Sequence, residues 1–230
     1  MKRLKNAILV AALAMLVALP FAAGNGLAGL VAAAQEKAAK VNYAPIPAGD
    51  YKIDPAHSIV GFAIRHFEIN WVEGRFKDFS GMIHYDDHDV TKSTVEFTAK
   101  IESIDTGVAP RDKHLRTADF FDAEKFPEMT FKSTSVERKG KNGYVLNGDL
   151  TLKGVTKPVA LPFTITGAIK DNGGNTRFGI DAQTKINRRD FGITWGKTLE
   201  SGGFDVGNEV TIKLQLEAVK PKPAAPAAGQ

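Results

Sequence analysis

Apolar and polar residues alternate in segment after segment, and this feature most restricts how the chain can fold. Val210, Ile212, Leu214, Leu216 and Ala218 alternate with Glu209, Thr211, Lys213, Gln215 and Glu217. A period of two puts successive side chains on opposite faces of an extended strand, one dry and one wet. Val95, Phe97, Ala99 and Ile101 alternate in the same way with Thr94, Glu96, Thr98 and Lys100. Val60, Phe62 and Ile64 alternate with Gly61, Ala63 and Arg65, and Val159, Leu161, Phe163 and Ile165 with Ala160, Pro162, Thr164 and Thr166. Phe178, Ile180, Ala182, Thr184 and Ile186 share a face opposite Arg177, Gly179, Asp181, Gln183 and Lys185. Shorter runs over 73–85, 128–138 and 143–153 bring the total to about eight strands. Turn signals at Asp86-Asp87, Lys141-Asn142-Gly143 and Asp171-Asn172-Gly173-Gly174 are of hairpin length, so neighbours should pair antiparallel. Pro158 and Pro162 lie on one face of their strand and predict an irregularity or an edge there. One stretch breaks the pattern: Pro110 to Phe126 favours a short helix, about residues 110–120, followed by a loop.

Eight half-apolar antiparallel strands must each bury one face. A sandwich or a closed barrel does this, and closure also removes exposed edges. An eight-stranded barrel is either filled by its own side chains or holds one small ligand. The apolar faces are rich in Phe, Ile, Val and Leu, relieved by Ala99, Gly148 and Ala182. The other faces carry Lys, Glu, Thr and Asp, which a narrow lumen would strand without water. The apolar faces therefore point inward, the reverse of an outer-membrane barrel.

The ends of the chain read differently. Residues 1–34 combine a basic start (Lys2, Arg3, Lys5), an apolar run from Ile8 to Ala23 and the small residues Ala32 and Ala34. These are the parts of a secretory signal, with cleavage expected after Ala34 and an earlier cut near Ala23 as the alternative. An uncleaved anchor is the competing reading, but the apolar run is short of the roughly 20 residues a spanning helix needs. Residues 35–49 read as a linker, 50–219 as the folded domain and 220–230 as a mobile Pro/Ala tail. The signal holds three of the 30 basic residues and none of the 26 acidic ones, so the remainder carries 27 against 26, a net of +1. That balance gives no electrostatic case for nucleic acid. The absence of cysteine excludes disulfides, zinc–thiolate and iron–sulfur sites and a thiol nucleophile.

Few residues offer chemistry. His66 continues the Val60–Phe62–Ile64 series, either as a hydrogen-bonded histidine at a strand end or as a group facing a ligand. Arg111, Asp112 and His114 sit at the start of the expected helix. Asp112 fits a helix-start acid, while Arg111 and His114 suit a polar or anionic head group at a barrel rim. His84, Asp86, Asp87, His88 and Asp89 look metal-like but fall in a turn, where aspartates are common for backbone reasons. No nucleophile motif or phosphate loop is present, and no metal is expected.

Several short motifs occur in an order that resembles the YceI family. They are Tyr51-Lys52-Ile53-Asp54, His57-Ser58, Val60-x-Phe62, His66 and Gly74-x-Phe76, then Arg111-Asp112-x-His114-Leu115, Phe120 and Phe126-Pro127. Gly148-Asp149-Leu150-Thr151, Gly154-Val155-Thr156-Lys157-Pro158 and Arg189-Asp190-Phe191-Gly192 complete the set, which spans about 50–219. The resemblance implies an all-β fold, an eight-stranded antiparallel lipocalin-like barrel with a short helix near its mouth. It implies a periplasmic, non-enzymatic protein, not membrane-spanning once processed, that holds a long isoprenoid or other lipid and needs no cofactor. A homodimer is compatible with it. Carried over by residue, the tunnel would be lined by Val60, Phe62, Ile64, Val95, Phe97, Phe120, Phe163 and Phe178. The mouth would be His66, Arg111, His114 and Asp112. Two other readings stand beside this one. A hydrolase or isomerase would use His66, Asp112 and His114 on an amphiphile, and a scaffold protein would have a barrel packed solid, without a cavity above about 300 Å³.

Overall fold

The computed structural model describes residues 41–222. The export signal expected over 1–34, the first part of the 35–49 linker and most of the 220–230 tail lie outside the described residues. The strands are β1 (Gly49–Ile53), β2 (Ile59–His66), β3 (Asn70–Phe76), β4 (Phe79–Tyr85), β5 (Thr94–Lys100), β6 (Ile104–Asp105), β7 (Glu128–Lys139), β8 (Gly143–Leu152), β9 (Val155–Lys170), β10 (Thr176–Asn187) and β11 (Val206–Lys220). One helix, α1 (Ala109–Arg116), lies between β6 and β7. Among the described residues no helix is long and apolar enough to cross a membrane.

These strands form an eight-stranded antiparallel barrel, because three of the eight are interrupted. β1 and β2 occupy successive positions along one edge of β11, with Ile53 opposite Ala218 and Ile59 opposite Gln215. β4 and β3 continue that line on the far side, with Lys52 opposite Met82 and Val60 opposite Phe76. β5 and β6 are likewise one strand broken by a 3₁₀ turn at Ile101–Ser103. The ring β1–β4–β5–β7–β8–β9–β10–β11 closes where β1 pairs with both β4 and β11. Tyr51 locks this closure. It is fully buried, its hydroxyl donates to the Pro47 carbonyl at 2.7 Å, and its ring meets Phe178 edge-on at 4.9 Å.

The ring opens at one end. β7 begins opposite Lys100, so β6 pairs only with β3 and parts from β7. α1 packs against β6 at this opening. Pro110 lies in its first turn, where the N–H that proline lacks would have no intrahelical acceptor. Its last turn carries Lys113, His114 and Arg116 toward the negative end of the helix dipole. Arg116 secures it by donating to the carbonyls of Glu102 (3.0 Å) and Ile104 (2.9 Å). A second seam separates β9 and β10, whose pairing starts only at Phe163 opposite Ala182. Pro158 and Pro162, which have no N–H to give, lie in the part of β9 without a β10 partner, as their spacing predicts.

At the opposite end Arg177 joins three carboxylates. Its Nε donates to Asp171 at 2.7 Å, and its Nη1 to Asp54 at 3.0 Å and to Glu217. Hydrogen bonds from Arg177 and Asn175 hold the Asp171 carboxyl well below the usual carboxylate range. Hydrogen bonds from His57, then Arg177, lower the Asp54 pKa, while Asp54 raises the His57 pKa in return. Folding favours the ionised forms of Asp54 and Asp171. Their contribution is therefore present above about pH 4 and is lost as pH falls below that. The His57 contribution has the opposite sense, full below about pH 6.5 and fading above it. Replacing Arg177 with Met should lower the melting temperature by several degrees at neutral pH. It should also flatten the acid limb of a melting-temperature profile between pH 5 and pH 3, followed by circular dichroism.

Candidate functional site

The inward faces of the strands meet around a cavity of about 250 Å³. Its lining runs the length of the barrel, from Tyr85 and Val90 at the Tyr51 end to Phe120, Ile186 and Ile193 at the helix end. All eight residues assigned to a tunnel by resemblance line it: Val60, Phe62, Ile64, Val95, Phe97, Phe120, Phe163 and Phe178. The volume falls just under the roughly 300 Å³ at which small-molecule sites begin, so size alone does not separate a filled barrel from a hollow one. The exposure of the lining does. Phe62, Val95, Phe97, Phe163 and Ile180 face inward, yet each keeps part of its surface uncovered. Residues of a solid core are covered on all sides. The interior is a narrow slot with room between its walls.

The slot is dry. Of the side chains lining it, only Tyr85, Ser93, Thr184 and Arg188 carry a polar group, and no acid or histidine is among them. Arg188 stands out. It follows Thr184 and Ile186 on the inward face of β10 and opens the 3₁₀ turn Arg188–Phe191. It is 3% exposed. Its Nε donates to the Gly207 carbonyl at 2.7 Å, Nη1 to Ile193 at 2.9 Å and Nη2 to Val206 at 3.0 Å. Burial, and next the neighbouring Arg189 charge, push its pKa below the usual arginine value.

None of the four residues expected at the mouth lines the slot, and each is engaged with other partners or with solvent. Asp112 is buried, and its Oδ1 accepts from the Thr106 amide (2.9 Å) and hydroxyl (2.5 Å). Arg111 Nε donates to the same hydroxyl at 2.7 Å and its Nη2 to the Thr106 carbonyl at 2.9 Å. The pair clamps the start of α1 to the end of β6. His114 contacts Asp119 at 2.8 Å and meets Phe120 and Trp195 edge-on. His66 is exposed against the ring of Phe67. His66 is the last residue of β2, opposite Val206, and lies past the lining residue Ile64 at the open end of the strand.

The turn residues 84–89 also have local duties. Asp86 accepts from the amides of His88 and Asp89, Asp89 caps the turn Val90–Lys92, and His84 contacts Asp50 at 2.7 Å. Among the described residues, Asp54, His57 and Glu217 form the one cluster close enough to share a cation. The Arg177 guanidinium already sits against both of its carboxylates.

The fold and its interior define a class, the closed antiparallel barrels with a dry axial slot. The chain matches the YceI-like domain over residues 51–218 and belongs to that family. It is 44% identical to a UPF0312 protein of Photorhabdus laumondii over 180 residues, covering 76% of this chain and 88% of that one. Among solved structures it is similar to BcnA of Burkholderia cenocepacia, with a TM-score of 0.61, 29% identity and coverage of 72% of this chain and 98% of that chain. A polyisoprenoid binding domain from Saccharophagus degradans, implicated in plant cell wall breakdown, shares the fold at a TM-score of 0.55 and 15% identity, covering 74% and 98%.

The Arg111–Thr106–Asp112 clamp yields a test. Replacing Asp112 with Ala strands a backbone amide and a hydroxyl and should cost about 2 kcal/mol of stability in urea unfolding. Replacing Arg111 with Ala should lower stability less and leave any preference among ligand head groups unchanged in competition binding.

Proposed function

We propose that this protein carries a single long, slender amphiphile inside its barrel, outside the cytoplasm in the periplasm, without catalysing a reaction on it. A polyisoprenoid, quinone-like or acyl chain fits this description. The observation that carries the proposal is the set of inward-facing apolar side chains left partly uncovered along the barrel. Away from the two seams at the helix end, the ring has no edge strand at which to pair, and its wall has almost no polar surface to hold water. An apolar chain is the occupant this interior suits.

The energetics agree. Burying about ten methylenes at roughly 0.8 kcal/mol each gives about 8 kcal/mol of gross binding. Lost freedom on association offsets part of it. The narrow slot favours a linear chain over a fused-ring sterol. The hydrolase reading loses support because His66, Asp112 and His114 each serve a separate partner and none lines the slot. The polyisoprenoid binding domain with the same fold is consistent with a prenyl chain.

Native mass spectrometry of protein purified from its own host should show a stoichiometric co-purifying lipid. Phe97→Trp, which thrusts a larger ring into the slot, should cut uptake of a prenyl or acyl chain at least tenfold while preserving a cooperative melt. A protein that arrives empty and takes up no chain would overturn the proposal.

A further inference from the structure

We infer that the ligand enters and leaves the slot sideways, through a lateral portal in the wall between β9 and β10. This rests on the carrier reading above and assigns the route by which the same ligand reaches the interior.

The portal is a stretch of wall without a ladder. β9 and β10 pair from Thr176 opposite Lys170 to Ala182 opposite Phe163, and the pairing stops there. β10 runs on over residues 183–187 with no β9 partner, which at about 3.3 Å per residue is roughly 16 Å of strand. Both strands stay paired on their other sides, β9 to β8 and β10 to β11. The reason lies in the sequence. In a strand the N–H and C=O of one residue point toward the same neighbour, and alternate residues share that direction. The Ala160 carbonyl faces β10, because it accepts from the Thr184 hydroxyl at 2.8 Å. The backbones of Pro158 and Pro162 therefore face β10 as well, and neither has an N–H to give. Of three successive ladder positions on this edge, only Ala160 keeps its donor.

The seam leads straight into the slot. Val159 and Leu161 on β9 and Ala182, Thr184 and Ile186 on β10 all line it. Along the paired strands, a ligand leaving through the wall would have to part a ladder of backbone bonds. Here, among the described residues, one side-chain bond, Thr184 to Ala160, spans the two strands. The opening beside α1 is closed more firmly. Arg116 ties the helix to the carbonyls of Glu102 and Ile104, Lys153 Nζ donates to the Ala118 carbonyl at 2.8 Å, and Phe120 and Ala123 are buried. A slender chain lying along the seam passes between two strands that part like a slit, while the ladders on their other sides stay intact.

The competing explanation is that the seam is a fixed irregularity and the ligand passes the α1 end. Cross-links separate the two, and because the chain has no cysteine, engineered thiols are the only ones present. Continuing the register past Phe163 and Ala182 puts Ala160 opposite Lys185, both exposed on the outer face. Ala160→Cys and Lys185→Cys in the full folded protein are joined by a short bis-methanethiosulfonate linker, which a reductant removes. Uptake and release of a fluorescent fatty acid and a fluorescent prenyl chain are followed by stopped flow. The cross-link should slow both rates at least tenfold and leave the equilibrium affinity within about twofold, and reductant should restore the rates. A control that joins Thr164→Cys to Asp181→Cys, partners in the existing ladder, should change neither. Pro158→Thr with Pro162→Thr, which returns two N–H groups to the edge, should slow exchange. Thr184→Val, which removes the one bond across the seam, should quicken it. Unchanged rates in the cross-linked protein would overturn the portal while sustaining the carrier reading. So would slowing that appears only when Arg116→Cys is joined to Glu102→Cys at the α1 end. Failure of the unmodified protein to take up either probe would overturn the carrier reading and the portal together.

Discussion

Closure of the ring by five residues of β1 is the constraint on which the rest of the structure depends. β1 pairs with β4 on one side and β11 on the other. Without it both neighbours would present open edges, and a hollow apolar interior would be exposed to water and to other strands. With it, the backbone of the wall is satisfied within the sheet, and the lumen can be lined by side chains alone. Tyr51, fully buried against Phe178 and Tyr85, holds this short strand where its length would otherwise make it marginal.

The two ends of the barrel are built on different principles. At the Tyr51 end, Arg177 binds three carboxylates contributed by the β1–β2 break, the β9–β10 turn and β11. Charges there are paired and the ladder is continuous. At the helix end the ladder parts at two seams. α1 and the segment after it fill one, and the Thr184 hydroxyl donates to the Ala160 carbonyl across the other at 2.8 Å. Arg188 stands at this second end with carbonyl partners only.

Much of the fold was legible in the residues because a strand face needs only a period of two. The alternations around Val95, Phe178 and Val210 mark walls that do line the slot, and Pro158 and Pro162 mark the seam. Interruptions were not legible. The breaks at Asp54–Ser58 and Lys77–Asp78 depend on how one strand meets two partners. The tight turn at Lys153-Gly154, with φ of 50° and 74°, carries only one of the residues usual for such turns. The same rule of two misled at one strand end and fell short at another. It carries His66 inward past Ile64, but β2 ends there and His66 is exposed to solvent. It would also have carried Thr184 and Ile186 on to Arg188, which the returning chain at Ile193, Val206 and Gly207 does hold inward.

The sequence by itself determined which face of each strand is dry, that the sheet is antiparallel and that one helix interrupts it. These follow from local periodicity and turn chemistry, which act over a few residues. Only the tertiary structure decided where the ring closes, that its lumen stays partly unfilled, and that Arg111 and Asp112 serve α1 while Arg188 is buried against the carbonyls of a returning loop. Those outcomes depend on the register between strands far apart in the chain and on which carbonyls a returning loop brings within reach. No local pattern encodes either.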